Sequence, residues 1–330
     1  MSRSPAILSR AGGGSGVAAL FTAIGEILID FTPINERGAT VGFRMHPGGS
    51  PLNVAVGLAR LGARVEFAGK VSSDVFGRFL AAHLKHEGVG TRFLSHSDAP
   101  STLAFVALED GEPAFSFYRE GAADTRLLPR DLPEDIVRTQ FLHFGSISLM
   151  NEPTAGTIAG LVERLRGRAI LSFDPNIRPG LISDRRGYRD LLARLFQSAD
   201  IVKISATDLR WFNPDHSLEE AANTLMEMGP ALVAVTQGPR GAYARWHAGD
   251  VRIPARAVEV VDTVGAGDAF TSGLLFSLVE RGVTSRAGLQ EMRADLLEAS
   301  LRFATAAAAV TCTRAGADPP RRDEVETVLS

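Results

Sequence analysis

Apolar positions along the chain alternate between two periods. From Ala19 to Phe31 they run almost unbroken, which predicts a buried strand with polar exits at Glu26 and Asp30. Ser50-Pro51 then opens a helix, with Ser50 as N-cap and Pro51 at the first position. Val65–Val71 is a strand, and Asp74 caps a helix through Leu84, with Gly88 just past its end. Thr102–Leu108 and Ala114–Arg119 are strands flanking Asp110-Gly111, a hairpin signal. Further strands fall at Phe141–Phe144, Ala169–Phe173, Asp200–Ile204 and Ala231–Thr236. Helical spacing lies between them at Thr154–Arg166, Gly187–Gln197 and Leu218–Met228. Gly241–His247 and Val251–Ile253 form a second hairpin, and two long helices close the chain near Asp268–Glu280 and Leu289–Val310.

Strand and helix in alternation predict an α/β fold, a mostly parallel sheet covered on both faces. The first hairpin breaks that rhythm. Residues 102–119, with part of 30–47, are expected to form a small β-layer over one edge. Ligands of open α/β sheets bind beyond the carboxyl ends of the strands, so motifs there carry most weight. Residues 1–18, with AGGGSG among them, read as a flexible extension ahead of one domain over 19–330.

Charge and cysteine content narrow the function. Net charge is −3, with no basic excess for nucleic acid and no polybasic block for an anionic membrane. No apolar run reaches the length of a membrane span. The single cysteine, Cys312, excludes an internal disulfide framework and fits a reducing compartment, so a cytoplasmic location is expected. Its Ala/Val/Thr-rich surroundings predict a buried, inert thiol.

Several familiar motifs fail. The dinucleotide fingerprint at 265–270 ends in Phe270, and Gly69-Lys70 lacks the Ser or Thr of a P-loop. The seven histidines form no zinc-type spacing. What survives is VDTVGAGDAFTSGLL, from Val261 to Leu275. Gly265, Ala266 and Gly267 make a turn of very small residues at a helix start, with Asp268 directly after it. Bare N–H groups there attract anions. The stretch reads either as a helix start with a favourable acid or as an anion hole beside a general base. In HPGGSPLNVAVGLARLG, Gly48-Gly49 lets a ligand approach the backbone, and Asn53 in the first helical turn suits a sugar hydroxyl. GEILIDF places Asp30 at the end of a strand. FDPNIRPG, from Phe173, is a further candidate, and Thr236, Gly238 and Gly241 in VTQGPRGAYA can form a close-approach loop for a nucleotide.

The order GEILIDF, PGGSPLNVAVGLARLG, GKVSSDVFG, SFYREGAAD, FDPNIR, DIVKIS, VTQGPRGA, DTVGAGDAF and TRAGADPP resembles the ribokinase-like, or phosphofructokinase-B type, family of sugar kinases. The match runs from Ala19 to Pro320. LHFGSISL and SFYREGAAD are most similar to bacterial fructokinases, while 2-keto-3-deoxygluconate kinases share the FDPNIR-like string and a similar Tyr-Arg. The resemblance implies a three-layer α/β/α core with a projecting β-sheet lid. It implies Asp268 as general base and Gly265, Ala266 and Gly267 as the anion hole. Asp30, Gly49, Asn53, Arg119 and Arg178 would hold the sugar. Thr236, Gly238 and Gly241 would line an ATP site, and Lys203 would contact the nucleotide phosphates. Asp262 and Val264, with carbonyls around Thr311–Gly316 (Thr311, Arg314 and Gly316), match the family's monovalent-cation (K⁺) site. Mg²⁺ enters with the nucleotide. A homodimer through the lid strands is compatible with the resemblance.

One departure stands out. Where the family often carries Asn-x-x-Glu, this chain reads Ser205-Ala206-Thr207-Asp208. Asp208 can orient magnesium-bound water with a shorter arm. The expectation is ATP-dependent phosphorylation of fructose. The rivals are 2-keto-3-deoxygluconate as substrate, and a non-catalytic sugar-binding regulator on the same fold.

Overall fold

The computed structural model describes residues 19–36, 39–109 and 112–330. The elements in chain order are β1 (Leu20–Ile24), β2 (Leu28–Glu36), β3 (Ala39–Gly48), α1 (Ser50–Arg60), β4 (Arg64–Ser72), α2 (Val75–His86), β5 (Gly90–Ser97), β6 (Thr102–Glu109), β7 (Glu112–Tyr118) and β8 (Phe141–Gly145). They continue with α3 (Thr154–Leu165), β9 (Ile170–Asp174), α4 (Arg185–Ser198), β10 (Ile201–Ser205), α5 (Ala206–Phe212), α6 (Leu218–Met228), β11 (Leu232–Thr236), β12 (Ala242–Trp246) and β13 (Gly249–Ile253). The helices α7 (Ala266–Glu280), α8 (Arg286–Gln290), α9 (Ala294–Cys312) and α10 (Arg322–Leu329) complete the chain.

Among the described residues nine strands form one sheet in the order β13-β12-β11-β10-β9-β8-β1-β4-β5, all running in one direction except β12, which is antiparallel to both its neighbours. Both faces are covered, so its central strands are apolar at successive positions rather than alternately. Ile201, Leu232 and Ala234 pack on one face with Leu274 and Phe276 of α7 and Leu301 of α9. Val202, Val233 and Val235 pack on the other with Ile158 of α3, Leu192 of α4 and Leu225 of α6. The remaining four strands form a separate sheet, β3-β2-β6-β7. This is the expected α/β architecture with its small β-layer.

The expected strand over Ala19–Phe31 is two strands in two sheets. Gly25, at φ +153°, turns the chain between them. The following Glu26 is buried, and its carboxylate accepts from the backbone N–H of Ser50 and of Ser148. A buried carboxylate needs such donors, so the chain is pinned here and β2 leaves for the small sheet. A second correction concerns α1. Gly49 occupies its N-cap position and Ser50 makes no cap hydrogen bond, although Pro51 lies in the first turn as expected. Asp74 does cap α2, accepting from Gly77 N. The single helix expected over Leu289–Val310 is split into α8 and α9, while α5, α10 and β5 were not anticipated. The turn at Asp110-Gly111 and the N-terminal extension lie outside the described residues. Among the described residues, no helix is long and apolar enough to cross a membrane.

Candidate active site

Asp268 lies in the first turn of α7, directly after the turn formed by Gly265, Ala266 and Gly267. Its carboxylate is buried at 8% exposure, and both its oxygens have partners from α1. Ser50 Oγ donates to Oδ1 at 2.6 Å, and Asn53 Nδ2 donates to Oδ2 at 2.8 Å. Burial raises the Asp268 pKa to about 6, against the pull of Ser50, Lys203 and Asn53. The carboxylate is thus aimed and partly desolvated, yet ionised near neutrality, as a general base requires.

A cavity of about 480 Å³ opens beside it, at the carboxyl ends of the parallel strands. Asp30 reaches it from β2, Gly49 from the N-cap of α1, Ser50 and Asn53 from α1 itself, Arg178 from the segment after β9, and Ser205 and Asp208 from the β10–α5 junction. Gly265, Gly267, Val264 and Asp268 form the facing wall. Asp30 is pushed up to about 7, by burial first and then by Asp268, while Arg178 opposes the shift. Asp208 is pushed up to about 6 by burial and by Asp174. Ser205 Oγ accepts from Asp208 N at 3.0 Å and so caps α5. Lys203 pairs with Asp174 across adjacent strands at 2.7 Å, with both side chains buried.

A second cavity of about 660 Å³ adjoins the first, sharing Thr236, Thr263 and Gly267 with it. Gly238 and Gly241 stand at one end, and Val258, Val260, Phe270, Ala308 and Ala309 make the rest largely apolar. Cys312 lines this cavity half-buried rather than enclosed in the core.

Below the glycine turn, Asp262 ties two loops together. Its Oδ1 accepts from Val264 N at 3.0 Å and its Oδ2 from Gly316 N at 2.8 Å. Thr311 is fully buried, with its hydroxyl donating to Ala307 O. Arg314 points away, pairing with Asp318 and Glu324. Asp262, Val264 and Gly316 therefore meet, and the side-chain bonds of Thr311 and Arg314 leave the carbonyls expected to face a cation untouched. Among the described residues, no group of three or more His, Cys, Asp or Glu is arranged to hold a metal ion.

Arg119 is the outlying candidate. It follows β7, donates to Ile147 O at 3.2 Å, and lines a separate cavity with Glu120, Arg126 and Asn151. Sequence reasoning also missed residues. Glu26, Ser50, Asn176 and Thr263 line the site cavity, and Asp174 backs it. The signal for three of them was present, since Glu26 lies in GEILIDF and Asp174 and Asn176 in FDPNIR.

The family model described as pfkB family carbohydrate kinase matches residues 18–324. Fructokinase-1 of Zea mays is 39% identical over 323 residues, covering 94% of this chain and 96% of its own. The fructokinase of Rhizobium leguminosarum bv. trifolii is 37% identical over 254 residues, 77% of this chain and 78% of its own. Among solved structures, fructokinase with bound ATP from Xylella fastidiosa superposes with a TM-score of 0.87 at 31% identity, covering 94% of this chain and 98% of that one. A fructokinase double mutant from Vibrio cholerae O395, in a fructose, ADP and potassium ion bound form, gives 0.84 at 29% identity, covering 96% and 100%. The chain belongs to the pfkB family of carbohydrate kinases, on a ribokinase-like fold. It is a sugar kinase, a phosphotransferase.

Proposed function

We propose that this protein is a fructokinase, transferring the terminal phosphoryl group of ATP to fructose to give fructose 6-phosphate. The observation that carries this reading is the seat of Asp268. It is held by Ser50 and Asn53 at the glycine turn, where a polar cavity of about 480 Å³ meets an apolar one. Relatives named fructokinase over most of the chain supply the sugar. Neighbours solved with ATP, or with fructose and ADP, supply the substrates.

In this reading fructose lies against Asp30, Gly49, Asn53 and Arg178. Its attacking hydroxyl faces Asp268, which takes the proton as the bond to phosphorus forms. The adenosine lies between the Gly238–Gly241 turn and the wall of Ala308 and Ala309. The N–H groups of Gly265 and Gly267 face the charge that develops on the phosphoryl oxygens, while that of Ala266, expected beside them, donates to Thr263 O at 3.3 Å; a fixed array of donors needs no reorganisation. The small sheet, through Leu28, Asp30 and Phe117, covers the sugar and excludes water.

Magnesium fits beside Asp208, because it is held by one or two carboxylates together with substrate phosphates rather than by a cage of side chains. When bound, it neutralises phosphate charge. A monovalent cation fits near Asp262, Val264 and Gly316, where it would brace the glycine turn without touching substrate. The outer face of the small sheet exposes Val41, Phe43, Met45 and Tyr118, and we infer that a homodimer covers it.

The competing substrate is 2-keto-3-deoxygluconate, whose carboxylate could pair with Arg178. A panel of sugars with ATP, read by ADP release, decides between them. Fructose should turn over, with a KM that raised salt leaves nearly unchanged. Turnover of 2-keto-3-deoxygluconate alone, with a KM rising with ionic strength, would overturn fructose and keep the kinase.

A further inference from the structure

Four carboxylates line the site cavity: Glu26, Asp30, Asp208 and Asp268. Among the described residues, its wall holds two cationic side chains, Arg178 and Lys203. A phosphoryl group carried into this cavity brings negative charge among acids, so the placement of those cations governs its energy. Arg178 is engaged with Asn176, donating to its Oδ1 at 2.7 Å. Lys203 is placed differently. Its Nζ lies 2.7 Å from the point where a side chain at Gly267 would begin. The missing side chain is what lets the ammonium reach the glycine turn. Asp174, at the end of the neighbouring strand, accepts from the same Nζ at 2.7 Å. An ammonium has three donors, and this bond fixes one of them.

The pair is costly unless it has a task. Lys203 and Asp174 are exposed by only 6% and 2%. Removing two charges from water is offset only by good geometry and further hydrogen bonds. Around Lys203 stand Asp174, Asp268, Asp208 and the imidazole of His143. Burial works against the charged ammonium, but Asp174 above all, with Asp268 and Asp208, holds its pKa above the ordinary lysine value.

We propose that Lys203 is a catalytic residue that stabilises the charge of the migrating phosphoryl group at the Gly265–Gly267 turn, with Asp174 as its positioning residue. The proposal rests on the kinase reading above and goes past phosphate binding. The bond from phosphorus to the ADP oxygen breaks, and the bond to the sugar oxygen forms. The sugar proton goes to Asp268, and Lys203 keeps its proton throughout.

The test compares wild type with Lys203→Met, Asp174→Asn, the double variant and Gly267→Ala. Binding of fructose and of ADP is measured by calorimetry, beside kcat and its pH profile. Lys203→Met should lower kcat by about 100-fold or more, as loss of one such donor does, with both affinities kept within about threefold. Asp174→Asn takes from the buried ammonium its nearest counter-ion and leaves only Asp268 and Asp208, so the alkaline fall of kcat should move to lower pH. Gly267→Ala should lower kcat with both charges still in place. The double variant removes both charges together and stands in if a single one unfolds. Its kcat should be no lower than that of Lys203→Met. A Lys203→Met enzyme, or the double variant in its place, with near-normal kcat and weakened ADP binding would make Lys203 a ground-state nucleotide contact and overturn the proposal. An unmoved alkaline limb in Asp174→Asn would remove Asp174 from its role. Wild type that transfers phosphate to no sugar would sink the fructokinase reading along with this one, whereas the variant outcomes bear on the lysine alone.

Discussion

Ser50 Oγ donates a 2.6 Å hydrogen bond to Asp268 Oδ1, across 218 residues of sequence. The hydroxyl stands at the start of α1, where it could have capped its own helix. It serves the carboxylate of α7 instead, while Glu26 receives the Ser50 N–H. Two helix N-termini thus converge on one acid, joining the sugar side of the site to the glycine turn.

Asp268→Asn should keep the fold and fructose binding and lose most turnover. Loss of a general base costs on the order of 10²–10⁴ in rate. A purified mutant with more than about a tenth of wild-type turnover on that scale would show that Asp268 is not the base. In wild type, kcat/KM should fall as pH drops through about 6, where Asp268 takes up its proton. Ser50→Ala removes a donor that favours the carboxylate, so this acidic limb should move to higher pH. An unmoved limb counts against the 2.6 Å bond as a functional contact.

Asp30 should make the substrate-free protein less stable at alkaline pH. Its pKa is raised from 3.8 to about 7, so the folded state holds its proton more tightly than the unfolded state does. That contribution is fully present below the unfolded pKa and is lost as pH rises through about 7. Asp30→Asn should therefore gain in Tm over wild type between pH 5 and pH 8, roughly the span on either side of that titration. A Tm difference that stays constant over this range would place Asp30 in a more solvated setting. The same mutant should bind fructose more weakly.

Potassium should activate. Asp262 braces Val264 and Gly316 rather than facing the site cavity, so a cation there would act by holding the turn. Turnover in potassium is to be compared with turnover in tetramethylammonium at fixed ionic strength. Equal rates would remove the cation from the Asp262 loops.

The apolar cavity should belong to the nucleotide alone. Ala308→Phe fills space beside Ala309 and Phe270, at the end away from Asp30. A steric cost of about 1–3 kcal/mol, as for overpacking, corresponds to roughly fivefold to 150-fold in affinity. The KM for ATP should rise by that amount, with the KM for fructose nearly unchanged. A matching rise for fructose would mean that the two cavities are not separate sites.

Local patterning carried most of the strands and helices, the α/β class, the small second sheet and the placing of Asp268 after a glycine turn, but not β5, α5 or α10. These follow from local rules. Apolar spacing, caps and small-residue turns act over a few neighbouring residues, and a parallel sheet buried on both faces writes its strands as apolar runs such as Leu232–Thr236. What each polar group would meet was settled by long-range packing. Whether Ser50 capped α1 or held Asp268 depended on a helix 218 residues away. Whether Ala19–Phe31 was one strand or two turned on Ser50 and Ser148, the donors that pin Glu26. Arg119, beside the lid in sequence, settled against Ile147 in a neighbouring cavity. Asp174 and Lys203 became partners because β9 and β10 lie side by side in the sheet. A polar side chain gives no periodic signal of its own. Its partner is set by which strand ends the fold brings together, and inside the core each such group must find a donor or acceptor there.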